Sequence, residues 1–140
     1  MIYSLLDTDT LTLFQHGQEA LVQRIVAAFH AKSLGVTIIS IEEQLDGRHA
    51  YRRRAKTNVQ IANAYQSFTD SVRALSGINI VTFSEPAIAR YNMLLAMKLN
   101  VGKMDLRIAA IALEAGATVI TRNLRDFQRV PELVCENWAD

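Results

Sequence analysis

The sequence predicts a three-layer α/β fold, in which helices cover both faces of a central parallel sheet of four to five strands. Two observations predict it. Short apolar or β-branched segments alternate along the chain with longer segments of helical periodicity, and glycines mark most of the boundaries between them. Strands that alternate with helices at such spacings pair in parallel through right-handed crossovers.

The length and composition predict a single domain. The chain has 140 residues, of which 50% are hydrophobic, so one domain over residues 1–140 with a substantial core is expected. No internal repeat or Pro/Gly/Ser-rich linker suggests a boundary. The formal net charge is +1, which excludes a strongly basic protein that holds nucleic acid by bulk charge and leaves local basic patches open.

The sequence also suggests where the protein works. Cys135 is the single cysteine, so neither an intrachain disulfide nor a cysteine-based zinc site can form. No apolar segment approaches the ~20 residues that span a bilayer, and no signal-type segment opens the chain. We therefore expect a soluble, unprocessed, cytoplasmic protein without membrane association.

The first half of the chain predicts two strands and three helical segments. An apolar run within residues 2–12 ends abruptly at Asp7, as expected at the carboxyl end of a strand that is buried on both faces. Gly35 is expected to end the helical region that covers residues 18–32. The predicted elements are the strand that ends at Asp7, a short helix over 10–16, a helix over 18–32, a β-branched strand over 36–40 and a helix start over 41–47.

The second half predicts three helices, two strands and a short edge strand. Pro86 after Ser84 predicts a helix start, and Gly116 predicts a helix end. The longest helical signal runs over 51–75, with a packing stripe formed by Ile61, Tyr65, Phe68, Val72 and Leu75. The other predicted elements are a strand over 78–83, a helix over 86–99, a helix over 104–115, a strand over 117–121 and a short edge strand over 133–135.

Five oxygen-bearing side chains follow the predicted strands or begin a helix. Asp7 and Glu43 follow the first two strands, Asp105 begins a helix, and Asn123 and Asp126 follow the fourth strand. Carboxylates that gather within a few ångströms raise one another's pKa, and Mg²⁺ or Mn²⁺ relieves that repulsion. A metal held in this way can activate water and stabilise a phosphodiester under attack.

Each of these acids also has a simpler interpretation. Asp7 could cap the following helix, and Glu43 and Asp105 could be favourable charges in a first helical turn. Asp126 could face solvent beside Arg122 and Arg125. The metal hypothesis therefore depends on the combination and not on any one residue.

Four segments in order resemble the motifs of PIN-domain proteins, and most closely the VapC-type toxin ribonucleases of bacterial toxin–antitoxin pairs. They are LLDTD at 5–9, SIEEQLDG at 40–47, GKMDLRIAA at 102–110 and TRNLRDFQRVPEL at 121–133. The resemblance covers nearly the whole chain. It implies an α/β/α fold and a Mg²⁺- or Mn²⁺-dependent endoribonuclease whose metal-binding acids are Asp7, Glu43 and Asp105. It also implies an RNA substrate, a homodimer and a cognate antitoxin that covers the site.

The sequence departs from the family pattern at two positions. Asp9 stands where the family commonly has Asn, which adds a charge, and Asn123 stands where many members have a fourth acid. Asn123 would then orient a bound water, while Asp126 would contribute to the site or only stabilise its loop. The Thr8 and Thr121 hydroxyls are candidates to support the metal ligands.

Basic residues near these motifs predict contacts with RNA phosphates. The segment 48–56 carries Arg48 and Arg52, while Arg107 and Arg122 border the later acids, with Lys103 and Arg125 widening the positive rim. The alternative for this segment is an ordinary solvated helix surface.

Parts of the sequence are also compatible with two other functions. Asp7 and Asp9 after an apolar strand also resemble the opening motif of haloacid-dehalogenase-type phosphatases, but Leu11 stands where that family has Thr or Val, and no late Gly-Asp motif follows. The second alternative is a PIN-like binding module that is catalytically weak or inactive. The changes at Asp9 and Asn123 leave room for it.

Overall fold

The computed structural model describes residues 4–140 and has helices on both faces of a five-stranded, all-parallel sheet. The predicted fold class is confirmed. The strand order is β3-β2-β1-β4-β5. The elements are β1 (Ser4–Leu6), α1 (Thr8–Gln15), α2 (Glu19–His30), β2 (Leu34–Thr37), α3 (Ile38–Arg54), α4 (Asn58–Ala74), β3 (Asn79–Val81), α5 (Glu85–Ala96), α6 (Lys103–Ala115), β4 (Thr118–Ile120), α7 (Leu124–Phe127) and β5 (Cys135–Glu136).

The central strand β1 separates two hydrophobic cores. Successive side chains of a strand point to opposite faces, so Leu5 packs into the core built largely from α5 and α6. Leu6 packs into the second core, which is built largely from α1, α2 and β2. Both leucines are fully buried. Strand β1 pairs in parallel with β2 on one side and with β4 on the other.

The chain path creates a crevice at the carboxyl end of β1. From β1 the chain moves outward to β2 and β3, and then it crosses back to β4 and β5 on the other side of β1. In an open parallel sheet, such a reversal of strand order leaves a crevice outside the carboxyl ends of the two flanking strands. Asp7 directly follows β1 and therefore lies at this topological switch point.

The prediction of the second strand over 36–40 is wrong at both ends. Strand β2 starts at Leu34 and ends at Thr37, and residues 38–40 already belong to α3. Thr37 is the N-cap of that helix, and its Oγ1 accepts a hydrogen bond of 3.2 Å from the Ser40 N–H. Gly35 was expected to end the preceding region, but it lies inside β2, where it pairs with Leu5 and Asn79.

The long helix predicted over 51–75 is two helices. Helix α3 ends at Arg54, and α4 begins after Thr57, which forms a capping box with Gln60. The Gln60 N–H donates to Thr57 Oγ1 at 3.1 Å, and the Thr57 N–H donates to Gln60 Oε1 at 3.2 Å. Two members of the predicted packing stripe are more than half exposed, Tyr65 at 52% and Val72 at 58%.

The other predicted elements match the structure within a few residues. Ser84 caps α5, which has Pro86 in its first turn, and Gly116 ends α6 with a left-handed φ of 65°. The short edge strand predicted near the C-terminus is β5. Ile2 and Tyr3, which belong to the first predicted stretch, lie outside the described residues. None of the helices within residues 4–140 is both long and apolar enough to cross a membrane.

Glu132 adopts a left-handed backbone conformation, with a φ of 68°, in the exposed turn before β5. A Cβ atom makes this conformation unfavourable by about 1–2 kcal/mol. We expect Glu132→Gly to raise the free energy of unfolding by up to about 1 kcal/mol, since glycine relieves the strain but gains more entropy on unfolding. Thermal unfolding would measure it. Glu132→Ala is the control, because alanine keeps the Cβ atom; an equal gain in both variants would contradict the explanation.

Candidate active site

Asp7 is held in place by two elements at the carboxyl edge of the sheet. Its backbone N–H donates to the carbonyl oxygen of Ile120 in β4 at 3.0 Å. Its Oδ1 accepts from the Thr10 N–H at 2.9 Å, so the side chain caps α1. Asp7 is only 4% exposed, and this burial raises its pKa, although hydrogen bonds from Thr121 and Thr10 partly oppose the rise.

Glu43 reaches the same region from the second turn of α3. Its Oε1 accepts a hydrogen bond of 2.5 Å from the hydroxyl of Thr8, the residue directly after Asp7. The Thr8 hydroxyl also lies 3.2 Å from Ser40 Oγ, and Ser40 is fully buried. The early start of α3 at Ile38, which the sequence did not predict, therefore brings Glu43 over the end of β1.

Asp105 lies in the first turn of α6, and the charges of the other acids raise its pKa. Its pKa is raised to about 6, first by burial and then by the charges of Asp7 and Glu43, with smaller contributions from Asp9 and Asp126. Such repulsion requires that the carboxylates lie near one another. The acids predicted from distant segments thus share one electrostatic environment.

The donor chemistry of this cluster fits a hard divalent cation, because every candidate ligand is a carboxylate oxygen. The arrangement is open, however. Within residues 4–140, no group of three or more His, Cys, Asp or Glu side chains stands in a geometry that could hold a metal ion. Charge repulsion acts over longer distances than coordination does, so the two observations are compatible. A bound cation would have to draw the carboxylates closer together.

Asn123 and Asp126 form a hydrogen-bonded turn beside the acids. The Asn123 N–H donates to Thr121 Oγ1 at 2.8 Å, and Asn123 Nδ2 donates to Asp126 Oδ2 at 2.9 Å. The other oxygen of Asp126 accepts from Arg129 Nη1 at 3.2 Å. Asp126 therefore has a protein partner on each oxygen, and this geometry favours a role in stabilising the loop.

The four arginines expected to bind substrate occupy different places. Arg48 donates to Ser71 Oγ at 2.8 Å, and Arg52 donates to Tyr65 Oη at 3.3 Å, so both contact α4. The guanidinium carbon of Arg107 lies 5.2 Å from the centre of the Tyr91 ring. Arg122 borders an open cavity of about 540 Å³ that is also lined by Asp9, Thr12, Leu13, Asn123 and Asp140.

The sequence interpretation did not identify Arg129 as part of this region. Arg129 donates to Asp126 and also, at 2.8 Å, to the backbone carbonyl oxygen of Asn100 in the turn before α6. The only local signal is its spacing of three residues from Asp126, at which an acid and a base can pair across one turn of the chain. The contact with Asn100 spans 29 residues and has no local signature.

Comparison with known proteins agrees with this architecture. Residues 5–133 match the PIN domain family. The chain belongs to the PIN-domain family. The family resemblance seen in the four sequence motifs is therefore confirmed.

Two ribonucleases are among the relatives of this PIN domain. The chain is 40% identical to ribonuclease VapC2 of Rickettsia felis over 68 residues, which are 46% of this chain and about half (51%) of that protein. It is 26% identical to ribonuclease VapC1 of Haemophilus influenzae strain R2866, over 99% of both chains.

Solved structures share the fold. VapBC2 from Rickettsia felis, bound to a DNA fragment from its promoter, superposes with a TM-score of 0.80 at 22% identity, over 99% of both chains. A toxin–antitoxin complex from Klebsiella pneumoniae gives a TM-score of 0.67 at 24% identity, over 94% of this chain and 95% of that one. These matches support the PIN-like arrangement of the sheet and its helices.

Proposed function

We propose that this PIN domain is a Mg²⁺- or Mn²⁺-dependent endoribonuclease and the toxin of a toxin–antitoxin pair. The observation that carries the proposal is that three acids from distant segments lie near one another. Glu43 in α3 is bonded to Thr8, the residue next to Asp7, and the charges of Asp7 and Glu43 both raise the pKa of Asp105 in α6. The ribonuclease names of the two relatives support an RNA substrate. The complex from Klebsiella pneumoniae supports an antitoxin partner.

In this proposal, each residue of the cluster has a separate task. Asp7, Glu43 and Asp105 would hold the divalent ion, which when bound supplies Lewis acidity at the scissile phosphate. Asp7 is fixed by its cap on α1, and Thr8 fixes Glu43. Asn123 would orient water or substrate through its amide oxygen, because its nitrogen is engaged with Asp126. Arg122 would contact an RNA phosphate at the cavity.

The homodimer and the cytoplasmic location implied by the sequence remain predictions. The phosphatase alternative finds no support in the family match. The inactive binding module keeps one observation in its favour, the open arrangement of the acids within residues 4–140.

The decisive experiment is cleavage of end-labelled RNA by the purified protein. We expect cleavage with Mg²⁺ or Mn²⁺ and none in EDTA. Addition of the antitoxin, encoded by the neighbouring reading frame, should suppress the cleavage. Binding of RNA without cleavage at any concentration of either metal would instead support the inactive binding module.

The Thr8 hydroxyl offers a separate test of the metal site. We expect Thr8→Val to weaken Mn²⁺ binding about 10- to 100-fold, because Glu43 loses the hydrogen bond that orients it. Isothermal titration calorimetry with Mn²⁺ would measure the change. Thr8→Ser keeps the hydroxyl and should bind Mn²⁺ nearly as well as the original protein; equal weakening in both variants would mean that the hydrogen bond is irrelevant.

A further inference from the structure

We propose that Arg129 is a positioning residue of this site, which acts on Asn123 through Asp126 and on the start of α6 through the turn at Asn100. The inference rests on the proposed ribonuclease function. It is carried by the two bonds that one guanidinium nitrogen makes, to Asp126 Oδ1 at 3.2 Å and to the Asn100 carbonyl oxygen at 2.8 Å.

The hydrogen bond from Arg129 to Asp126 fixes the orientation of the Asn123 side-chain amide. A carboxylate can only accept hydrogen bonds, so Asp126 must face the nitrogen of the Asn123 side chain and not its oxygen. Arg129 in turn holds Asp126 by its other oxygen. The Asn123 amide oxygen is therefore the group left to face the cavity that Asn123 shares with Asp9 and Arg122.

The hydrogen bond from Arg129 to the Asn100 carbonyl oxygen supports the turn that precedes α6. Lys98 and Asn100 both have left-handed backbone conformations, with φ of 53° and 59°, which non-glycine residues rarely adopt. Helix α6 then begins after Gly102, which makes no side-chain cap. A hydrogen bond from Arg129 to the Asn100 carbonyl steadies this turn, and Asp105 lies in the first turn of the helix that follows.

Arg129 thus joins the two segments that carry Asp105 and Asn123. Two ion pairs connect side chains within residues 4–140, and Arg129–Asp126 is the one that includes an acid of the site. Both of its side chains are about one third exposed, so by itself this pair adds little to stability. The pair is better understood as a positioning contact, because Arg129 holds the segment that carries Asn123 against the turn that precedes Asp105.

The second ion pair provides a matched control. Arg90 and Glu114 join α5 to the far end of α6, with side chains of similar exposure, 45% and 38%. Arg129→Met and Arg90→Met each remove one surface arginine and one ion pair. Only the first removal touches the turn at Asn100 and the Asn123–Asp126 contact.

The expected effect of Arg129→Met is a fall in kcat of about 10-fold, with KM changed less than twofold. Arg129→Lys, which keeps a donor and a charge, should recover part of the loss, and Arg90→Met should leave kcat unchanged. Amide hydrogen exchange should become faster over residues 97–102 in Arg129→Met only. A rise in KM alone, or an equal effect of Arg90→Met, would overturn the inference.

A double-mutant cycle tests whether Arg129 acts through Asn123. If it does, Arg129→Met in an Asn123→Ala background should lower kcat much less than it does alone. Fully additive losses would overturn that arm of the inference. If the original protein cleaves no RNA, the proposed function fails. Hydrogen exchange still tests the structural role of Arg129 separately, because unchanged exchange over residues 97–102 in Arg129→Met would reject Arg129 as the support of this turn.

Discussion

Asp7→Asn is expected to reduce RNA cleavage by about 10³-fold or more while the protein stays folded. Asp7 is the most buried acid of the cluster, and it lies at the switch point of the sheet. Asparagine has nearly the same shape but lacks the negative charge that a divalent cation requires. The loss should therefore appear in metal-dependent catalysis, and Mn²⁺ titration should show weaker binding.

The free energy of unfolding should be unchanged or slightly higher in the same variant. Asparagine is as good an N-cap as aspartate, so the bond from the Thr10 N–H to residue 7 can persist. Burial and the nearby Asp9 charge both raise the pKa of Asp7, which means that the folded state disfavours its ionised form. Removing that charge relieves the cost.

Urea unfolding and RNA cleavage of the same preparations would test both statements. Glu42→Gln is the matched control, because Glu42 is an exposed acid next to Glu43 and its loss should leave cleavage unchanged. A loss of more than about 2 kcal/mol in Asp7→Asn would instead show that the charge is structural.

Cleavage is expected to rise about tenfold per pH unit up to pH 6 and then to level off. The reason is Asp105, whose pKa is raised to about 6 by burial and by the charges of Asp7 and Glu43. Below that value Asp105 is protonated and is a poor ligand for a cation. Excess Mn²⁺ should shift the profile to lower pH, since the metal competes with the proton.

Without metal, stability should change with pH in the opposite direction. The pKa of Asp105 is higher in the folded state than the ordinary 3.8, so the folded protein binds more protons between about pH 4 and pH 6. Its free energy of unfolding should therefore fall as pH rises through this window, and Asp7 adds to the same trend. Added Mg²⁺ should restore stability at pH 7 but not at pH 5.

Asp105→Asn provides the control for both pH effects. In this variant the pH dependence of metal-free stability between pH 4 and pH 6 should be flatter than in the original protein. The difference between the two proteins cancels contributions from groups away from the site. Identical profiles in both proteins would show that Asp105 does not titrate in this range.

Sequence patterns predicted the elements whose ends carry a distinctive local signal. Ser84 with Pro86 and the left-handed Gly116 mark helix ends by their own chemistry. Thr37 is different, because a β-branched threonine suits both a strand and an N-cap, and the strand predicted over 36–40 therefore runs past the end of β2. The spacing of Thr57 and Gln60 is that of a capping box, and it is the local signal that marks the break between α3 and α4.

The candidate site was only partly visible in the sequence. Its acids could be proposed because each lies beside a strand end or a helix start and belongs to a motif. The contacts that orient them could not, because the Thr8–Glu43 bond spans 35 residues and the Arg129–Asn100 bond spans 29. Such pairs are set by the packing of whole helices against the sheet, which no local pattern encodes.

The reversal of strand order at β1 has a practical consequence for finding the substrate. The crevice at that point is produced by the route of the backbone and not by the acids that line it. A chain disabled at Asp7 should consequently keep its groove and capture transcripts without destroying them. Ultraviolet crosslinking of that disabled chain in living cells, followed by sequencing of the attached fragments, would identify the natural target.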